Sequence, residues 1–392
     1  MDAPEDPVVK YANTVLYEGV RRRSSDIFIE PEEKNIRIRY RIDGLLQEGG
    51  VTTQALHGGV ISRIKVMANL DIAEHRVPQD GRFRLKIAEK EVDFRVSILP
   101  TYFGEKICLR VLDKGNALLD LDKLGFEEVS LNSLKKAAEH PHGMILVCGP
   151  TGAGKTTTLY SVLKLLDKPQ INIITVEDPV EFRIHGINQV AIRPEVKLTF
   201  AAALRSILRQ DPDVIMVGEI RDFETADVAI KAALTGHMVL STLHATTAVG
   251  TITRLVNIGI EPFLITSSVL VAGSQRLVRK VCDKCRETYE PSPELLEELG
   301  IDKKTLKEKP VFSRGKGCDT CQKRGYHGRA VLLETLTLTQ PVKELILRGA
   351  QEYEIKQLGR KEGMQTMRED GIAKILRGVT TPDEVMRVTV KD

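Results

Sequence analysis

Eight consecutive residues, Gly149, Pro150, Thr151, Gly152, Ala153, Gly154, Lys155 and Thr156, match the phosphate-loop pattern G-x-x-x-x-G-K-[ST] at every position, and Thr157 comes next. The three glycines let the backbone curl so that its N–H groups converge on phosphate oxygens, reinforced by the start of a helix. Lys155 would set its charge against the β- and γ-phosphates, and the Thr156 hydroxyl would ligate Mg²⁺. An apolar run at residues 144–148 and a helical pattern at 157–166 supply the strand–loop–helix setting that separates a phosphate loop from a chance match. The chemistry implied is binding of a nucleoside triphosphate.

Three further groups end apolar runs downstream. Residues 214–217 lead into Gly218-Glu219-Ile220-Arg221-Asp222, and Glu219 stands where a phosphate-loop enzyme places its Walker B acid, toward Mg²⁺ and its waters. Residues 171–176 lead into Glu177-Asp178-Pro179-Val180-Glu181, at the strand end where α/β folds bind ligands. Glu177 is the candidate to orient or deprotonate the attacking water; an acidic turn closed by Pro179 is the alternative. Residues 238–243 end in His244, placed to sense a γ-phosphate by hydrogen bonding, or else a structural histidine. Arg205 and Arg209, one turn apart on an expected helix, and Arg95 and Arg110, in strand-like runs, are candidates to neutralise transition-state charge; surface arginines without that role are the alternative.

Cys282 and Cys285 form one C-x-x-C pair, and Cys318 and Cys321 a second. Each pair can hold two thiolates on one knuckle, and two knuckles complete a tetrahedral Zn²⁺ site with no open position, hence a structural one. A cytosolic redox pair is the alternative. Cys108 and Cys148 lie in apolar strand-like runs and read as inert core residues.

The elements that must position these groups fall into two patterns. Residues 1–113 read as a small α+β unit, with a helix at 8–20, strands at 27–29 and 36–42, a helix at 60–67, and strands at 82–87, 91–98 and 106–112. Asp43-Gly44 is a turn signal, although the segment after it is not a clear hairpin strand. Residues 88–90 read as a tight connection and 114–124 as a linker. From 125 to 392 helices (131–139, 157–166, 200–209, 223–234) alternate with apolar strands, as in a parallel sheet covered by helices. A cysteine-bearing subdomain at 276–330, with a helical stretch at 292–306, and a helical tail complete the second unit.

Composition limits the partners. Hydrophobic residues make up 42% and charged residues 28% of 392, as in an ordinary water-exposed globular chain. Lys+Arg 57 against Asp+Glu 54 leaves +3, and with no Trp and 5% aromatics this argues against a nucleic-acid groove. A RecA-like nucleic-acid motor gripping DNA with a zinc ribbon is therefore the weaker alternative, and a non-catalytic nucleotide-gated adaptor is opposed by the full set of carboxylates. No apolar run approaches the ~18 residues of a membrane span, and no signal-peptide pattern opens the chain, so the expected location is cytoplasmic.

The phosphate loop, the Asp box at 177–181, the Walker B segment at 218–222 and the His box Ser241-Thr242-Leu243-His244-Ala245 occur in the order of the secretion ATPases that build type IV pili and type II secretion pseudopili, which the chain resembles. Arg41-Ile42-Asp43-Gly44, Pro78-Gln79-Asp80-Gly81-Arg82 and the segment Gly363 to Gly371 extend the resemblance over nearly the whole chain. It implies a PAS-like N-terminal domain, a RecA-like ATPase domain and a homohexameric ring, with ATP between the two domains and arginines resembling Arg95 and Arg110 meeting it. It implies further that Arg205 contacts phosphate, and that the tetracysteine insert resembles that of assembly-type members. The implied partners are an inner-membrane platform protein and cytoplasmic docking components, with the ring peripheral to the inner membrane. Assembly members normally carry a further N-terminal docking domain, and this chain begins almost at the PAS-like unit.

Overall fold

The computed structural model describes residues 6–87, 90–113, 120–301 and 309–390. The chain divides into two compact units, residues 1–117 and 118–392. Residues 88–89 of the expected connection at 88–90, and 114–119 of the expected linker, lie outside the described residues; Lys90 begins a strand.

The first unit runs α1 (Pro7–Arg21), β1 (Asp26–Pro31), β2 (Asn35–Ile42), β3 (Leu45–Thr53), α2 (His57–Ala68), β4 (Gln79–Ile87), β5 (Lys90–Thr101) and β6 (Gly104–Asp113). Its strands form one antiparallel sheet in the order β3-β2-β1-β6-β5-β4. Period-two alternation puts Ile36, Ile38, Tyr40 and Ile42 of β2 into a core shared with Val15, Leu16, Val60 and Ile64 of the two helices. The hairpin after Asp43-Gly44 is real: β3 pairs with β2 along its length. A register shift opposite Gly49 and Gly50, and a strand with no fully buried residue, hide its alternation in the sequence.

The second unit opens with a 3₁₀ turn at Leu121–Leu124 that buries Leu121 beside Phe126 in the core. The end of the expected linker is thus packed structure, because its leucines face the domain they precede. Next come α3 (Glu128–Ala138), β7 (Gly143–Cys148), α4 (Lys155–Leu166), β8 (Ile173–Glu177), β9 (Asn188–Ala191), α5 (Phe200–Ile207), β10 (Val214–Val217), α6 (Phe223–Leu234), β11 (Met238–Leu243), α7 (Ala248–Ile258), α8 (Pro262–Ser268) and β12 (Val269–Val281). The cysteine-bearing segment holds β13 (Arg286–Tyr289), α9 (Pro293–Leu299) and β14 (Phe312–Gly315). The chain then returns as β15 (Tyr326–Thr337) and ends in α10 (Gln340–Leu347), α11 (Glu352–Lys361), α12 (Met367–Leu376) and α13 (Pro382–Val388).

The main sheet has the order β15-β12-β7-β11-β10-β8-β9 and is parallel except for β15. Strands β7, β8, β10 and β11 are buried along their whole length, as a sheet covered on both faces requires. Alternation divides β7 between two cores: Met144, Leu146 and Cys148 face α5, α6 and α7, and Ile145 and Val147 face α3 and α4. Thr199, Asp222 and Thr247 cap α5, α6 and α7 by accepting a backbone N–H, which fixes where each helix leaves the sheet's carboxyl edge.

Three readings of this unit change. Strand β12 runs to Val281 and pairs with β15 from Val271↔Thr337 to Val281↔Tyr326. The cysteine-bearing segment is thus an excursion between two paired strands, and residues 276–281 and 326–330 belong to the main sheet. The expected helix at 292–306 is α9, ending at Leu299 with Gly300 as its left-handed cap; residues 302–308 lie outside the described set. Helix α5 stops at Ile207, so Arg209 lies beyond it and donates to the Arg205 carbonyl at 2.8 Å instead of sharing a helical face with it.

Candidate nucleotide site

Gly149 comes directly after the last residue of β7 and Lys155 begins α4, so the phosphate loop joins a buried strand to a helix N-terminus. Gly149 has φ +144°, and a Cβ there would lie 2.5 Å from the Gln275 carbonyl oxygen. Gly154, at φ +86°, caps α4, and its Cβ would lie 2.9 Å from Gln275 Nε2. Only glycine fits where loop and β12 approach this closely. Gln275 also clamps the loop: its Nε2 donates to the Ala153 carbonyl at 2.7 Å and its Oε1 accepts from Thr158 Oγ1 at 2.7 Å. Lys155 Nζ folds back on the loop, donating to the carbonyls of Gly149 (2.8 Å) and Pro150 (3.1 Å). Burial lowers the Lys155 pKa from its ordinary value.

Arg276 comes next on β12. Its Nη1 donates to the Gln275 carbonyl at 3.0 Å, and its Nη2 to that of Thr246 at 3.4 Å. Burial pulls its pKa below the ordinary arginine value.

Glu219, Glu177 and His244 all lie at the carboxyl edge of the same sheet. Hydrogen bonds from Ser241 Oγ to the Val217 carbonyl (2.8 Å), from Thr242 Oγ1 to that of Gly218 (2.7 Å) and from Ile220 N to that of Thr242 (2.9 Å) tie the end of β10 to β11. Glu219 therefore meets His244, Nε2 to Oε2 3.3 Å, and accepts a short hydrogen bond from Arg221, which raises the arginine's pKa. Glu177 ends β8 with its carboxylate turned inward and 3% exposed. It accepts from Thr175 Oγ1 (2.6 Å), Gln189 Nε2 (3.1 Å) and the Tyr160 hydroxyl. Burial and the neighbouring Glu177 charge raise the Tyr160 pKa, so the hydroxyl remains a donor. To meet a water in the cleft, Glu177 must leave this network.

The expected arginines separate. Arg205 ion-pairs with Glu224 at the start of α6, 2.8 Å. Arg95 and Arg110 lie in the first unit, directly opposite each other on β5 and β6. Arg82 is opposite Arg95 on the other side, and Asp26 stands between Arg110 and Arg41. Cross-strand partners share a face, so Arg82, Arg95, Arg110 and Arg41 form one row with a single aspartate in it. Asp26 takes Arg110 at 3.3 Å and Arg41 at 3.5 Å.

Cys282 and Cys285 leave β12, and Cys318 and Cys321 precede β15. All four Sγ atoms lie within 4.8 Å of one another. The Cys282–Cys318, Cys285–Cys321 and Cys318–Cys321 separations are 3.9, 3.8 and 3.8 Å. A tetrahedron with Zn–S of about 2.3 Å has S···S edges of about 3.8 Å, so the residues fit zinc. N–H groups of Gly317 (3.3 Å) on Cys285, and of Cys318 (3.1 Å) and Gly325 (3.2 Å) on Cys321, favour thiolates. A disulfide would instead need S–S of about 2.05 Å.

Gln275, Arg276, Tyr160 and Gln189 did not stand out as site residues in the sequence. The available signal was the Gln-Arg pair interrupting the apolar pattern of 269–281.

A family model described as "Type II/IV secretion system protein" matches residues 2–387. The chain is 48% identical over 392 residues to the type IV pilus assembly ATPase PilB of Myxococcus xanthus, covering 100% of this chain and 69% of that protein. It is 49% identical over 387 residues to type II secretion system protein E of Xanthomonas campestris pv. campestris, covering 99% and 68%. Among solved structures, the pilus retraction motor PilT with bound ADP aligns at TM-score 0.66 and 25% identity over 96% of each chain. The ATPase DotB of Legionella pneumophila aligns at TM-score 0.71 and 21% identity over 99% and 97%, a likeness of fold.

Proposed function

Because the chain belongs to the type II/IV secretion system protein family, we propose that it is the motor ATPase of a type IV pilus or type II pseudopilus, hydrolysing ATP to drive assembly of the fibre. One observation carries the chemistry. A complete phosphate loop lies on the sheet edge that also presents Glu219, His244 and Glu177.

In this reading the loop N–H groups and Lys155 bind the phosphates, Lys155 exchanging the Gly149 and Pro150 carbonyls for the β/γ oxygens. Thr156 and, through water, Glu219 would hold Mg²⁺, whose chemistry is to neutralise charge on those oxygens. His244, already in contact with Glu219, reports the γ-phosphate. Glu177, released from Tyr160 and Gln189, orients the attacking water. Arg95 and Arg110 of the PAS-like unit supply transition-state counter-charge, and Arg205 a further phosphate contact once freed from Glu224. Zn²⁺ on the four cysteines is structural. The working form is a homohexamer on the cytoplasmic side of the inner membrane, pushing a platform protein. Among the described residues no helix is long and apolar enough to cross a membrane.

Steady-state phosphate release across a wide range of protein concentration tests the motor reading. Specific activity should rise steeply with concentration, because subunits complete one another's sites. No release at any concentration would sink it.

A further inference from the structure

We propose that Arg276 is a second phosphate-binding cation of the nucleotide site, acting beside Lys155 on the phosphate chain of both ADP and ATP; this rests on the nucleotide-site reading above. Strand β12 runs beside β7 and pairs with it through Ser274↔Cys148, so its next two residues reach the base of the phosphate loop. Gln275 commits its amide to the loop itself, at the Ala153 carbonyl and Thr158. Arg276 is thereby delivered to the loop's first residue: its Nη1 lies 3.3 Å from where a Gly149 Cβ would stand. The other end of the guanidinium reaches the carbonyl of Thr246, two residues beyond His244.

A guanidinium carries five donors in a rigid fork, suited to phosphate oxygens. Here two of them meet backbone carbonyls, and among the described residues no carboxylate accepts a hydrogen bond from the group, Glu334 acting on it through charge alone. The nearby Glu334 turns its oxygens to the N–H groups of Ala248 (2.9 Å) and Met367 (3.2 Å). A half-buried cation without a carboxylate is costly unless an anion completes it. Lys155 stands in the same condition on the other side of Gly149, with only carbonyls as partners. Two such cations flanking one loop define a place for a polyphosphate rather than for a single negative charge.

The test compares the full-length parent chain with Arg276→Gln, Arg276→Lys and Lys155→Ala. ADP and a non-hydrolysable ATP analogue, each with Mg²⁺, are titrated at several salt concentrations, and melting is recorded without nucleotide. Gln keeps a donor for the Thr246 carbonyl and removes the charge. We expect Arg276→Gln to weaken both nucleotides at least ~10-fold, with a flatter salt dependence than the parent. Arg276→Lys should recover part of the affinity, and the nucleotide-free melting midpoint should stay in place. Affinities within about twofold of the parent, with a lowered midpoint, would make Arg276 a structural strut and overturn the inference alone. A parent chain that binds neither nucleotide, like Lys155→Ala, would overturn the site reading itself.

Discussion

The Tyr160 hydroxyl, on the helix that the phosphate loop starts, donates to the buried carboxylate of Glu177 at the end of β8. In the sheet order β7-β11-β10-β8, this one bond joins the two ends of the nucleotide cleft. Gln189 of β9 and Thr175 close the network around the same carboxylate. A ligand that shifts the start of α4 is thereby linked to the residue assigned to the attacking water.

Tyr160→Phe keeps the ring, its edge contact with Phe182 and its volume, and removes the hydroxyl that donates to Glu177 and accepts from Gln189 Nε2 at 3.4 Å. A hydrogen bond to a charged group contributes about 1.5–3 kcal/mol, and urea denaturation should show a loss of that size. Turnover should stay within a few-fold of the parent, since Tyr160 holds Glu177 back and does not touch water. A loss of turnover without a loss of stability would place Tyr160 in the chemistry instead.

Lys155→Ala and Glu219→Gln each remove a charge that the proposed function assigns to the transferred phosphoryl group or its metal. Steady-state phosphate release should fall by at least ~100-fold in each variant. Near-parental turnover in either would contradict the assignment of that residue.

Removing the metal should act on the excursion between β12 and β15 and spare the phosphate loop. Strong chelation, or Cys318→Ser, should lower the melting midpoint while the affinity for ADP holds. Zinc still bound at one equivalent in Cys318→Ser would exclude a four-cysteine site.

Glu384 pins α13 to β12. Its carboxylate accepts from Arg279 N (2.8 Å), Arg279 Nη2 (2.9 Å), Arg387 Nε (3.0 Å) and Arg387 Nη2 (2.8 Å). Burial alone would raise its pKa, but these donors hold it at about 2, below the ordinary 4.5. A depressed carboxylate contributes stability above its unfolded value, and that stability is lost as pH falls from 4.5 toward 2. Glu384→Gln should therefore be less stable than the parent by about 3–5 kcal/mol at pH 7, with the gap narrowing at pH 3. A gap independent of pH would mean that packing, not charge, is what the substitution removes.

The phosphate loop was legible because its chemistry is local: glycine torsions, a lysine and a hydroxyl must be consecutive for one loop to wrap a phosphate. The same holds for the fully buried strands β10 and β11, whose expected bounds coincide with the observed ones, since an apolar run between turn signals has one reading in a sheet covered on both faces. The cysteine pairs announced their knuckles by spacing alone. Strand β3 was lost where Gly49 and Gly50 break the alternation, and the end of α5 was overrun because Arg209 continues a helical pattern that the turn at Asp211 (φ +50°) cuts short.

What the sequence could not decide are the partners of each charge, because pairing depends on elements far apart in the chain. Glu177 stands in the sequence as the candidate for the attacking water, and only tertiary packing shows its carboxylate held by Tyr160, seventeen residues upstream, and Gln189. Gln275 and Arg276 read as the border of an insert until the sheet placed β12 against β7, 122 residues from the Ala153 carbonyl that Gln275 holds. The row of Arg82, Arg95, Arg110 and Arg41 exists only through the register of antiparallel strands and the Asp26 between them. Torsional and ligand chemistry is written residue by residue and so was determined by the sequence; charge neutralisation is a property of neighbours in space, and only the fold decided it.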